Sequence, residues 1–126
     1  MHTLANPARF LTWSGRLWPT VGAASLLLMA IGLPWSLFYS PPDYQQGDAA
    51  RIMYVHVPAA WVSLAAYAAM AGASFTAIVW RTALAQIAAQ AIAPIGAIFT
   101  ALALATGMLW GKPMWGAYWV WGDARL

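Results

Sequence analysis

The sequence predicts an all-α fold, an integral membrane helical bundle of three transmembrane helices followed by a tryptophan-rich segment. Hydrophobic residues make up 63% of its 126 positions and charged residues only 7%, whereas a soluble globular domain is roughly 25% charged. Three apolar runs each have about the 20 residues that a helix needs to cross a bilayer. Because short links join these runs, we expect one membrane domain covering residues 1–126.

The first apolar run predicts a transmembrane helix over 17–38. Aromatic residues lie at both of its ends, as is typical of helices anchored at the membrane interface. Pro34 is expected to bend the last turn. Pro41 and Pro42 are expected to end the helix, because proline cannot donate to the helical hydrogen-bond ladder.

Two further helices follow the polar first loop, residues 39–56. The second span is predicted over 57–80, with Pro58 in the first turn of its membrane-embedded part, where a missing N–H has no cost. Small residues over 65–74 favour close contact with another helix. After a link near 81–90, the third span is predicted over 89–109.

Positive charges orient the bundle only through its first helix. Arg9 and Arg16 precede this helix and Arg51 follows it, which favours a cytoplasmic N-terminus. Over the whole chain, the lysines and arginines on the two faces tie. In either orientation the first loop and the chain after the third span share one face, because two spans separate them.

The Trp-rich segment, residues 110–126, contains four of the nine tryptophans. Trp115, Tyr118 and Trp119 would share one face of a helix, whereas Trp115, Trp119 and Trp121 would share one face of a strand, so periodicity leaves the local structure open. A helix lying on the bilayer is one interpretation, although glycines and proline disfavour a continuous helix. A surface of flat indoles that holds a large planar ligand is the other. Trp110 is interpreted as an interfacial anchor.

His56 is the histidine near a predicted span, since His2 lies in the N-terminal tail. One interpretation is an interfacial histidine bonded to water or to a backbone carbonyl. The other is an axial ligand of haem iron, because neutral imidazole often fills that position. The Trp-rich segment on the same face favours the second interpretation.

Three cations are expected on this face, Arg51, Lys112 and Arg125. Arginine pairs with carboxylates in a bidentate fork, so these residues are candidates for binding haem propionates. The alternative is an ordinary interface charge, which we favour for Lys112. Asp123 would either orient Arg125 or accept a hydrogen bond from an indole N–H.

Several function classes are disfavoured by what the sequence lacks. Without cysteine, the chain itself has no thiol for disulfide exchange, iron–sulfur ligation or covalent haem attachment. Its acids are three dispersed aspartates, and it has no serine–histidine–acid set or glycine-rich phosphate loop, so we do not expect an enzyme. No basic run suggests nucleic-acid binding.

Four segments, in order and at fitting spacing, make the chain resemble the CcmC family of WWD-domain proteins, which handle haem in system I cytochrome c maturation. They cover residues 42–47, 54–60, 93–100 and 110–116. The resemblance implies a multi-pass protein of the bacterial inner membrane with a cytoplasmic N-terminus and a periplasmic Trp-rich segment. It also implies binding of non-covalent, b-type haem and its delivery to the haem chaperone CcmE, alongside CcmA, CcmB and CcmD.

The resemblance also implies the site residues, with His56 as the first axial ligand of haem iron. The predicted cofactor-binding set is His56, Trp115, Tyr118, Trp119, Trp121, Asp123 and Arg125. The chain departs from the family in three ways. It is half the family's length, so we expect the N-terminal half of a six-helix fold, truncated before the second axial histidine. Tyr118 replaces a tryptophan, and Gly122 separates Trp121 from Asp123.

Two alternatives accompany haem delivery. The chain could be a membrane scaffold subunit without a cofactor, with the small residues near Gly72 as its contact face. It could also be an inactive truncated product.

Overall fold

A computed structural model describes residues 6–122 of the protein. Three long helices follow one another along the chain: α1 (Pro7–Pro34), α2 (Met53–Trp80) and α3 (Ala83–Trp115). Each is long and apolar enough to cross a membrane. Among residues 6–122 no β-strand forms, and extended pairing is limited to an isolated bridge between Asp43 and Gly47. The predicted all-α membrane fold is confirmed.

α1 begins at a side-chain cap and ends in a π-helical turn. The Asn6 side chain accepts a hydrogen bond from the Ala8 N–H at 3.0 Å, a common way to satisfy a free donor at a helix start. After Pro34, where the sequence predicts a bend, the α-helix gives way to a π-helical turn over Trp35–Tyr39. The backbone becomes extended at Ser40, because the proline that follows disfavours a helical conformation.

α2 and α3 form a helical hairpin with a close crossing. A Cβ added to Gly96 would lie only 3.2 Å from the Ala66 Cβ, and Ala66 is buried. The hydroxyls of Ser63 and Thr100 are hydrogen-bonded across this contact at 2.6 Å. In the described part of the chain, nothing lies within 4 Å of a Cβ added to Gly72. The close helix contact of the hairpin is therefore at Ala66 and not at Gly72.

The helices start before the predicted spans, α1 at Pro7 and α3 at Ala83, whereas α2 ends at Trp80 as predicted. Arg81 adopts a left-handed conformation with φ of 51°, which ends α2 at once. Only Arg81 and Thr82 join the two helices, and α3 begins at Ala83, earlier than predicted. The alanine, leucine and glutamine residues over 83–88 are good helix formers. Pro58 is the sixth residue of α2, beyond its first turn, so it cannot donate to the Tyr54 carbonyl.

Candidate functional site

His56 is the fourth residue of α2, and its half-buried imidazole contacts α3. Its Nδ1 lies 3.0 Å from the Ala103 carbonyl oxygen. The same nitrogen lies 3.1 Å from the Thr106 hydroxyl oxygen. The ring is therefore held between the two helices of the hairpin.

These contacts determine which nitrogen of His56 remains available. A carbonyl oxygen can only accept, so the Nδ1 that faces Ala103 carries the proton. In the neutral imidazole, Nε2 then keeps its lone pair. Metal-binding histidines have this arrangement, in which one nitrogen donates to a carbonyl or carboxylate and the other binds the metal. The bond to a backbone carbonyl is thus compatible with an axial-ligand role, because it occupies the other nitrogen.

The first loop contains a compact turn just before α2. The Asp43 carboxylate accepts hydrogen bonds from the backbone N–H groups of Gln45 and Gln46, each at 2.9 Å. These N–H donors, with Gln46 first, lower the pKa of Asp43 from its ordinary value of 3.8. Gly47 closes the turn at φ 57° and ψ −138°, a conformation that is essentially restricted to glycine.

Arg51 connects this loop to the end of α1. Its Nη2 donates to the carbonyl oxygen of the buried Ser40 at 2.9 Å and lies 3.3 Å from the Asp48 carboxylate. Its Nε is screened from water and has no acceptor among the described residues. Arg51, predicted as a candidate for binding propionate, therefore holds the loop in place and retains one unpaired donor.

Trp110 connects the first loop to α3. Its indole Nε1 donates to the Gln46 side-chain oxygen at 3.0 Å. Its ring lies edge-on to that of Trp115, with ring centres 4.8 Å apart. The interpretation of Trp110 as an interfacial anchor missed this bond. The signal for it was the indole N–H itself, which usually needs an acceptor when it is buried.

α3 ends at Trp115, and the chain turns sharply at Gly116. Gly116 has φ of 81°, and its N–H donates to the Lys112 carbonyl at 3.0 Å, a helix end that favours glycine. The Lys112 ammonium donates to the Gly116 carbonyl at 3.0 Å and lies 5.3 Å from the Tyr118 ring centre. Residues 117–122 form neither helix nor strand, so neither of the two aromatic faces predicted from periodicity is present.

The chain after Gly116 folds back against α3. A Cβ added to Gly111 would lie 3.3 Å from the Ala117 carbonyl oxygen. The Trp119 and Trp121 rings meet edge to face with centres 5.4 Å apart. Trp121 is 91% exposed, whereas the Trp119 Nε1 is screened from water and has no acceptor within residues 6–122.

His56 and the Trp-rich segment lie at the same end of the hairpin. His56 contacts α3 at Ala103 and Thr106, and the Trp-rich segment begins one turn later at Trp110. Between Thr106 and Trp115, α3 rises by about 14 Å at its usual 1.5 Å per residue. The start of the Trp-rich segment at Trp110 is about 6 Å along α3 from Thr106 by the same measure.

Three residues of the sequence prediction, His2, Asp123 and Arg125, lie outside the described residues. Their predicted placements and roles stay predictions. Among residues 6–122, no three histidine, cysteine, aspartate or glutamate side chains group closely enough to hold a metal ion.

Known proteins resemble the chain over most or all of its length. The family model CcmC, Heme exporter protein C, matches residues 1–126. Heme exporter protein C of Bradyrhizobium diazoefficiens is 55% identical over 123 residues, which cover 98% of this chain and 46% of that protein. Heme exporter protein C of Escherichia coli strain K12 is 49% identical over 126 residues, which cover 100% of this chain and 51% of that protein.

A plant protein is also similar. The putative cytochrome c biosynthesis ccmC-like mitochondrial protein of Marchantia polymorpha is 50% identical over 99 residues, which cover 79% of this chain and 43% of that protein. The chain spans about half the length of the curated relatives it matches. The resemblance predicted from four sequence segments is confirmed, and the chain belongs to the heme exporter protein C family.

Proposed function

We propose that the chain binds haem at the end of the hairpin shared by His56 and the Trp-rich segment, and delivers it in the periplasm for c-type cytochrome biogenesis. The observation that carries this proposal is the His56 ring, whose Nδ1 is bonded to the Ala103 carbonyl and whose Nε2 keeps its lone pair. The names of the relatives, which are heme exporters, support haem as the ligand.

The chemistry of the site suits a reversibly held porphyrin. Nε2 of His56 supplies one axial ligand to the iron. Trp115, Tyr118 and Trp119 offer aromatic surface to the apolar macrocycle, and Trp121 is exposed beside them. Because the chain has no cysteine, it forms no thioether bond to the haem. A ligand held in this way is released intact, so the role is binding and transfer rather than catalysis.

Unpaired donors near the site suit the carboxylates of haem. The Trp119 Nε1 and the Arg51 Nε are both screened from water without an acceptor among the described residues. A buried donor without a partner costs about 1–3 kcal/mol, and a propionate oxygen would supply the missing acceptor. In this proposal Arg125 and Asp123 complete the polar side of the site.

The proposal also fixes the placement of the chain in the membrane. The bilayer-embedded stretches are 17–38, 57–80 and 89–109 of a protein in the bacterial inner membrane. The N-terminus is cytoplasmic, and the first loop and Trp-rich segment are periplasmic. There the haem passes to the chaperone CcmE, with CcmA, CcmB and CcmD as further partners. The two most exposed aromatic side chains of this face, Tyr44 and Trp121, are each 91% exposed and are suited to contact a periplasmic partner.

The test compares haem bound by the protein purified from membranes with and without the His56 imidazole. We expect His56→Ala to lose most of the Soret absorbance, because it removes the ligand nitrogen. The matched control is His2→Ala, which changes the other histidine and should keep the parent spectrum. An unchanged Soret band in His56→Ala would overturn the ligand assignment. A partner that co-purifies with haem-free parent protein would instead favour the scaffold alternative.

A further inference from the structure

The hydroxyl of Thr106 faces His56 as an acceptor. It donates its own proton to a backbone carbonyl, that of Leu102 at 2.7 Å. Its lone pairs are then directed to the imidazole Nδ1 at 3.1 Å. The Ala103 carbonyl faces the same Nδ1. Two acceptors around one N–H favour the tautomer protonated at Nδ1, and together they resist rotation of the ring.

Because Gly107 has no side chain, the His56 ring can lie close to α3 at this position. A Cβ added there would lie 3.1 Å from the His56 Cε1 and 3.5 Å from Nδ1. The distance to Nδ1 is an ordinary contact, but the one to Cε1 is tighter than usual, so the ring would have to shift by a few tenths of an ångström and its hydrogen bonds to α3 would change. Glycine is otherwise disfavoured in a helix interior relative to alanine, so the neighbouring imidazole gives a physical reason for glycine at this position.

We propose that Thr106 and Gly107 are positioning residues of the haem site. Thr106 holds the His56 imidazole in the tautomer whose Nε2 is free to bind iron, and Gly107 lets the ring approach α3 closely enough for that bond. This inference rests on the proposed function, in which His56 is an axial ligand, and it extends that function to residues that do not touch the haem.

The first test uses the protein without haem. With ¹⁵N-labelled histidine in nanodiscs, the ring ¹⁵N shifts report the tautomer, and His2→Ala assigns the signals because the chain has two histidines. We expect a protonated Nδ1 in the parent and in Thr106→Ser. In Thr106→Val, where the Ala103 carbonyl remains as one acceptor, we expect a partial shift toward the tautomer protonated at Nε2. The matched control is Thr76→Val, which removes the same kind of hydroxyl–carbonyl bond, to Gly72 at 2.8 Å, on the other helix.

The second test measures haem affinity and the spectrum of the axial ligand. Groups that orient a metal-binding histidine typically contribute 10- to 100-fold to affinity. Because the Ala103 carbonyl remains, we expect the dissociation constant of Thr106→Val to rise about tenfold, at the lower end of that range. Thr106→Ser should restore affinity and spectrum. Gly107→Ala should weaken binding and shift the spectrum, whereas Gly72→Ala, with nothing within 4 Å of its added Cβ among the described residues, should not.

The outcomes separate this inference from the proposed function. Parent-like ¹⁵N shifts, affinity and spectrum in both Thr106→Val and Gly107→Ala would overturn the positioning role while leaving His56 as the ligand. Parent-like haem binding by His56→Ala would overturn the function, whatever the tautomer. If Thr106→Val does not fold, Gly107→Ala decides the result.

Discussion

Gly116 is the position where one backbone angle sets the direction of residues 117–122, the described part of the Trp-rich segment after α3. The residue has φ of 81° and follows directly after α3. Among the described residues, nothing lies within 4 Å of a Cβ added there. A substitution at Gly116 therefore tests the backbone conformation by itself, without a steric clash.

The expected cost of Gly116→Ala follows from that geometry. A left-handed conformation costs an ordinary L-residue roughly 1–2 kcal/mol. If haem binding requires this turn, the dissociation constant should rise by a factor of about 5 to 30, which is what such a free-energy difference means at equilibrium. Gly116→Asn should have a smaller effect, because asparagine tolerates this region better.

The assay is haem titration of the purified protein, together with amide exchange over residues 117–122. We expect faster exchange in these residues in Gly116→Ala while the exchange of α2 is unchanged. The control is Gly72→Ala, where alanine has the same open surroundings but lies within a helix that favours it. Equal haem affinity and exchange in Gly116→Ala and Gly72→Ala would refute the reasoning.

Three further predictions concern the first loop and the hairpin. Trp110→Phe removes the bond to Gln46 and should destabilise the protein by about 1 kcal/mol. In thermal denaturation the double variant with Gln46→Leu should lose less than the sum of the single variants, and additivity would contradict the contact. The ionised Asp43 carboxylate should stabilise the loop fully above its ordinary pKa of 3.8. This stabilisation should be lost as the pH falls through the lower pKa that Asp43 has in the folded protein. Amide exchange at Gln46 should report that acid-range loss in the parent but not in Asp43→Asn. Gly96→Leu should destabilise the hairpin by about 1–3 kcal/mol through overpacking, whereas Gly32→Leu, with no described atom within 4 Å of its added Cβ, should not.

Composition was enough to predict three apolar helices long enough to cross a membrane, but not the residues at which each helix begins and ends. Apolar runs mark where a chain can enter lipid, whereas backbone hydrogen bonding continues into the residues that flank them, as at 7–16 and 83–88. The turn at Arg81 could not be predicted, because a left-handed arginine has no local signature comparable to that of glycine.

At the candidate site, the sequence identified His56 and the aromatic residues but not what holds them. The residues that fix the imidazole are 47 and 50 positions away from it, and Gln46 is 64 positions from Trp110. Contacts of that separation depend on the crossing of α2 and α3, which periodicity does not give. Periodicity also could not place the aromatic rings of 117–122, because the left-handed Gly116 interrupts both repeating patterns.

The central claim is that the imidazole and the aromatic rings open to the same compartment. Because the chain has no cysteine, single cysteines can be introduced and labelled with a membrane-impermeant maleimide in vesicles of known orientation. The account predicts that Tyr44→Cys and Trp121→Cys react from the periplasmic side and that Arg81→Cys reacts only from the cytoplasmic side. Labelling of positions 44 and 121 from opposite sides would contradict it.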